Sequence, residues 1–169
     1  MRKTYLYFTL IACCAVLSLQ AAPRLTVVAV VDGLTADNLA TLRPYWQQGG
    51  LRTLSEEAFQ TTIAYPHMVY GGNETTATLM TGVTPDRHGY TMDTYFARRD
   101  RKIHSMLEDE TTRGIGTKEK ISPKNLLSQT LTDRLRLMYP EAKIYAVGLQ
   151  APTSVLLAGH AANACCWMD

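Results

Sequence analysis

Charge of one sign is scarce in this sequence of 169 residues, where 17 Lys and Arg stand against 15 Asp and Glu. The small excess sits at Arg2 and Lys3, in a leader, and the remainder balances. A neutral body gives no electrostatic reason to expect a nucleic-acid polymer or an anionic membrane as partner. Cysteine is scarce too: Cys13 and Cys14 form one adjacent pair, Cys165 and Cys166 another. Neighbours in sequence do not reach the Cα separation of an ordinary disulfide. There is no CxxC and no zinc-finger spacing, so buried thiols are expected near the end of the chain. His67, His88, His104 and His160 form neither HxH nor HExxH, so none of them is a strong local metal motif. His88, inside Pro85-Asp86-Arg87-His88-Gly89, suits a turn-stabilising or supporting role. No repeat or low-complexity segment occurs. With 46% apolar residues, these absences exclude a disordered tail, a solenoid and a disulfide-dense miniprotein. What is left is one ordinary globular domain with a real core.

The one long apolar run, residues 5–19, is short for a stable membrane span. It follows a basic start and precedes Ala21, Ala22 and Pro23, which is the layout of a secretory signal peptide. We expect a signal peptide over residues 1–22, cleaved after Ala21 or Ala22, and export to the periplasm or beyond. An uncleaved anchor is one alternative. A lipoprotein box at Leu10-Ile11-Ala12-Cys13, with attachment at the envelope, is another. The end at Ala-Cys-Cys-Trp-Met-Asp has no cap, polar tail or turn, so a fragment of a longer protein is expected.

Residues 26–31 are β-branched and apolar without interruption and close on Asp32-Gly33, which suits a strand covered on both faces of a parallel sheet. A short helix is expected over residues 35–43, stopped around Pro44, with Leu34, Leu39 and Leu42 available to the core. Gly49-Gly50 marks a turn, residues 51–59 a half-buried helix or a helix and strand start, and residues 59–65 a weakly patterned strand. After a loop over residues 66–73, a helix is expected over residues 74–80, with Asn73 as N-cap and Gly82 at its end. Residues 115–120 read as a polar connection. Ser122-Pro123 reads as the start of a long helix carrying Leu127, Leu131, Leu135 and Met138 on one face and ending at Pro140. Residues 143–149 are expected as a second buried strand and residues 154–158 as a third. This order implies a layered α/β fold, a mostly parallel sheet covered by helices.

Two spots stand out for chemistry. Asp32 follows a predicted buried strand, at the sheet edge where ligands bind; it can ligate Zn²⁺ or Mg²⁺, or simply cap the next helix. Gly71-Gly72-Asn73-Glu74-Thr75-Thr76 combines close backbone approach with a helix start whose N–H groups attract anionic oxygens. A threonine there can serve as nucleophile; an ordinary helix cap with threonines packed sideways is the alternative. The basic run at residues 98–102 can contact phosphate, or form a solvated loop balanced by Glu108, Asp109 and Glu110.

VVAVVDG at 27–33, LMTGVTPDRHGY at 79–90 and AGHAANACCWMD at 158–169 together resemble the N-terminal part of the alkaline phosphatase superfamily. The likeness is nearest to its periplasmic phosphatases and nucleotide pyrophosphatase/phosphodiesterases, and covers almost all of residues 25–169. It implies an alkaline-phosphatase-like domain over residues 23–169, incomplete in this chain. It further implies two divalent metal ions, zinc by preference, with Asp32 as a ligand of one and most other ligands beyond residue 169.

The resemblance also implies a threonine nucleophile shared by the metals at the start of the helix before Thr81-Gly82. Counting back without gaps reaches Gly72, which has no hydroxyl. Either Thr75 or Thr76 then supplies it, or the chemistry is lost. Thr75 is the favoured nucleophile and metal contact, although the charge of Glu74 weighs against a phosphate there. Asn73 and Asp93 are the expected substrate contacts, Asp93 standing where the phosphatases have an asparagine. The family's monoesterases have a Lys and an Arg where residues 148–152 read Gly-Leu-Gln-Ala-Pro. A small phosphate-ester or nucleotide-like substrate is expected, a phosphodiester before a monoester, with the fragment by itself inactive. A non-catalytic, envelope-associated binding module of the same fold is the alternative.

Overall fold

The computed structural model describes residues 24–68 and 71–168. The leader, its cleavage site and the lipoprotein cysteine lie outside the described residues. The chain divides into a unit ending at Val31 and a unit over residues 32–169. In the first, residues 24–31 belong to no strand, and Val27 is 75% exposed. The strand expected over residues 26–31 is therefore not formed. An apolar β-branched run favours extended backbone, but a strand also needs neighbouring chains to take up its N–H and C=O groups.

The second unit begins with helix α1, Ala36–Leu42, whose N-cap Thr35 accepts a hydrogen bond from the Asn38 N–H at 3.1 Å. Pro44 turns the chain through a 3-10 segment, Arg43–Tyr45. Helix α2, Gly50–Glu57, follows the glycine pair and ends before Phe59; no strand forms over residues 59–65. Helix α3 is Gly72–Thr81, closed by Gly82 at φ 69°, a left-handed turn that glycine adopts without strain. The short helix α4, Pro85–His88, comes next.

Strands β1, Thr94–Ala97, and β2, Lys102–Ser105, form an antiparallel hairpin that the sequence reading missed. The basic run lies at its turn and at the start of β2. Its expected acidic partners are engaged elsewhere: Glu108 with His104, Asp109 with Lys124 and Glu110 with Lys120.

The long helix expected from Ser122 is also corrected. Ser122 caps only a 3-10 turn, Pro123–Asn125. Helix α5 starts afresh at Leu131–Met138 behind a capping box, in which the Thr130 hydroxyl accepts from the Asp133 N–H and the Asp133 carboxylate accepts from the Thr130 N–H. Between them Leu126 is buried in the core, and the Leu127 N–H donates to the His88 carbonyl at 2.9 Å. That tertiary bond and the stronger cap outweigh helical periodicity, and Leu127 is left 76% exposed.

Strand β3, Tyr145–Gly148, and strand β4, Ala164–Trp167, pair in parallel around helix α6, Ala151–Ala158. The strand expected over residues 154–158 is thus a helix, because Pro152 opens a run whose Ala151, Ser154, Val155, Leu156 and Ala158 are all buried. A short apolar run does not distinguish the two by pattern. β3 is only half-buried: Ala146 faces the interior, while Val147 is 77% exposed. The expected buried thiols are likewise corrected, since Cys165 is half-buried and Cys166 exposed, both free.

Among the described residues the strands form two two-stranded sheets, one parallel and one antiparallel, rather than a mostly parallel layer. The core gathers Ala77, Tyr90, Leu107, Leu126, Val155 and Leu156, and packs α3 against α6.

Candidate functional site

The site is built on the N-terminus of α3. Its N-cap is Gly71, which has no side chain to cap with, so the helix begins earlier than an Asn73 cap would place it. Gly71 therefore supplies no side-chain cap to the first turn, which carries the positive end of the helix dipole. Asp32 stands against this turn. One carboxylate oxygen accepts from the Gly33 N–H at 2.9 Å. The other, Oδ2, would lie 3.1 Å from a Cβ at Gly72. Asp32 does not cap the following helix, because Thr35 does. A glycine at position 72 is what permits this close approach.

The two candidate nucleophiles point differently. Thr75 is half-buried and its hydroxyl donates to the Gly71 carbonyl at 2.9 Å; Thr76 is buried and donates to the Gly72 carbonyl at the same distance. One residue apart on a helix, they are turned by about 100°.

Asn73, inside the helix rather than at its cap, donates from Nδ2 to Asp93 at 3.0 Å and accepts from the Thr153 hydroxyl at 2.8 Å. The same Asp93 oxygen accepts from the Tyr90 hydroxyl at 2.7 Å. Tyr90 is only 2% exposed, and burial, then the Asp93 carboxylate, raise its pKa above the ordinary phenol range. The phenol is therefore a fixed donor. Tyr90 and Thr153 were missed in the sequence. Tyr90 follows the His-Gly pair directly and was within reach of that motif, whereas Thr153 lies eighty residues from Asn73 and carries no local signal.

At the end of α4, buried His88 accepts from the Tyr90 N–H at Nδ1, 3.1 Å, and contacts the hydroxyl of Thr78 on α3 through Nε2 at 3.0 Å. This supports the turn before β1, as its sequence context suggested.

Among the described residues no group of three or more His, Cys, Asp or Glu side chains converges as a metal site. Asp32 and a threonine hydroxyl are fewer donors than zinc takes. These residues do not by themselves fit a metal centre.

No protein-family model matches the chain. It is 30% identical over 155 residues to a calcium-transporting ATPase of Myroides odoratus, and 29% identical over 157 residues to alkaline phosphatase PhoV of Synechococcus elongatus. These matches cover 87% and 88% of this chain and 28% of each relative. The crystal structure of wild-type alkaline phosphatase PafA superposes with a TM-score of 0.54 at 30% identity, over 58% of this chain and 20% of that one. The chain is homologous to alkaline-phosphatase-superfamily enzymes. It spans 28% of the length of the curated relatives it matches. Its α/β architecture is broadly compatible with an incomplete fold of that kind.

Proposed function

We propose that the chain is the N-terminal part of an exported, metal-dependent phosphoric ester hydrolase acting on small phosphodiesters or nucleotide-like esters, with residues 1–22 as its cleaved leader. The observation that carries this reading is Asp32 Oδ2 beside the uncapped first turn of α3. There a carboxylate, the positive end of the helix dipole and the Thr75 hydroxyl share one end of a helix. Homology to alkaline phosphatases supports ester hydrolysis as the chemistry.

In this reading the α3 N–H groups and the Asn73 amide hold the phosphoryl oxygens. Thr75 Oγ1 turns from the Gly71 carbonyl, gives its proton to water and forms a bond to phosphorus as the bond to the leaving oxygen breaks, and the leaving oxygen takes a proton from solvent. Water then attacks the phosphorus of the phosphothreonine, the Oγ1–P bond breaks, and the phosphate product leaves as the Thr75 hydroxyl regains a proton. Asp93 adds negative charge beside Asn73, which opposes a doubly charged monoester more than a singly charged diester. Two divalent ions, zinc by preference, would use Asp32 and Thr75 together with ligands from beyond residue 169.

The second reading, a non-catalytic binding module, is favoured by one observation: Asp32 Oδ2 stands beside Gly72, which has no hydroxyl. Hydrolysis of bis(p-nitrophenyl) phosphate and p-nitrophenyl phosphate by the full-length protein at saturating zinc separates the two. Thr75→Ala is expected to lower diester turnover by about a thousandfold or more while leaving the fold intact. Thr76→Ala should do less, and Asp32→Asn should weaken both zinc binding and turnover. Full activity in Thr75→Ala would reject the nucleophile. Hydrolysis of neither ester by the folded, metal-loaded wild type would leave the binding module as the better reading.

A further inference from the structure

Asn73 is held by partners from two distant parts of the chain, and their chemistry fixes its orientation. Asp93 Oδ1, 3.0 Å away, is a carboxylate oxygen and accepts, so the Asn73 group facing it is the amino group. The carbonyl oxygen of Asn73 must then face Thr153, which donates its hydroxyl proton across 2.8 Å. Asp93 cannot swing freely either, because the buried Tyr90 hydroxyl holds the same oxygen at 2.7 Å. One amide N–H of Asn73 is used on Asp93; the other has no partner among the described residues and can meet a ligand at the α3 N-terminus. Thr153 lies in the first turn of α6, directly after Pro152, on the helix that packs against α3 in the core.

We infer that Thr153 is a positioning residue for this site: its hydroxyl locks the Asn73 amide so that the remaining N–H meets a phosphoryl oxygen of the substrate. The inference rests on the proposed reading of the α3 N-terminus as the ester site. Without the Thr153 hydroxyl, the Asn73 carbonyl loses its anchor and the amide rotates about its last torsion. Ligand oxygens then meet a mixture of orientations, which weakens binding more than turnover.

The test is a cycle in the full-length protein at saturating zinc, with bis(p-nitrophenyl) phosphate as substrate. Thr153→Val keeps the branched shape and removes the donor, and is expected to lower kcat/KM about fivefold, mainly through KM. Thr153→Ser should restore most of it, and Thr153→Ala is measured alongside in case the valine does not fold. In an Asn73→Ala background, Thr153→Val should cost nothing further, since the residue acts through Asn73. An active wild type with unchanged kinetics in Thr153→Val and Thr153→Ala would overturn this inference alone. So would a fivefold loss that persists in the Asn73→Ala background, which marks a merely structural role. A folded wild type that neither hydrolyses nor binds the diester would overturn the site reading and this inference with it.

Discussion

At the scale of single residues, His88 shows how a buried polar group is made compatible with a core. Its Nδ1 accepts from the Tyr90 N–H, which leaves the neutral ring's proton on Nε2, where Thr78 Oγ1 receives it at 3.0 Å. Burial first, then the neighbouring His67, hold its pKa below the ordinary imidazole value. The folded state therefore binds fewer protons than the unfolded one in mild acid. The stability His88 contributes is present above about pH 6.5 and is lost as pH falls through its folded pKa. Thr78→Val leaves the Nε2–H buried without an acceptor, and is expected to cost about 1–3 kcal/mol. Urea unfolding of the full-length protein at pH 8, where the ring is neutral in both states, checks this. A loss under about 0.5 kcal/mol would show that the bond is dispensable.

At the scale of elements, the β1–β2 hairpin carries a clamp of opposite sign. His104 stacks on Tyr95 with ring centroids 5.8 Å apart, and its two ring nitrogens meet Glu108 and Asp100 at 2.7 Å each. Both carboxylates, Glu108 first, raise its pKa. The contribution of the clamp is complete below about pH 6.5 and disappears as pH rises through the raised folded value. Amide exchange in residues 94–105 should accelerate over that rise beyond its intrinsic pH dependence, and His104→Gln should remove the excess. Equal excess acceleration in both proteins would mean that the clamp does not hold the hairpin. Helix α5 teaches the complementary lesson. The periodicity of Leu127, Leu131, Leu135 and Met138 was visible in the sequence, yet the helix begins only at the Thr130–Asp133 capping box. Capping chemistry was legible there too, but the weight of one signal against the other was set by the burial of Leu126.

At the scale of the molecule, the parallel pair β3–β4 leaves one face uncovered, with Tyr145 68% and Val147 77% exposed. A parallel sheet is ordinarily covered on both faces, and two strands are few for independent stability. Residues 22–169 produced alone are therefore expected to associate, with light scattering reporting oligomers and Val147→Lys reducing them. A sharp, reversible, monomeric unfolding transition of that segment would contradict the expectation.

The sequence by itself determined what depends on neighbours along the chain. It carried the short helix stopped around Pro44, the closure of α3 at Gly82, and the balance of charge, while the structure named Thr35 rather than Asp32 as that helix's cap. It also carried the α/β class and the likeness to alkaline phosphatases, because apolar runs and turn residues in a set order survive without coordinates. Tertiary structure alone decided whether residues 26–31 and 154–158 became strands, since pairing and burial belong to partners that a local pattern cannot name. It likewise decided which side of Gly72 the Asp32 carboxylate approaches, and that Thr153 and Tyr90 hold Asn73 and Asp93. Those contacts join residues far apart in the chain, and a hydrogen bond depends on distance and angle in space, which spacing along the sequence does not encode.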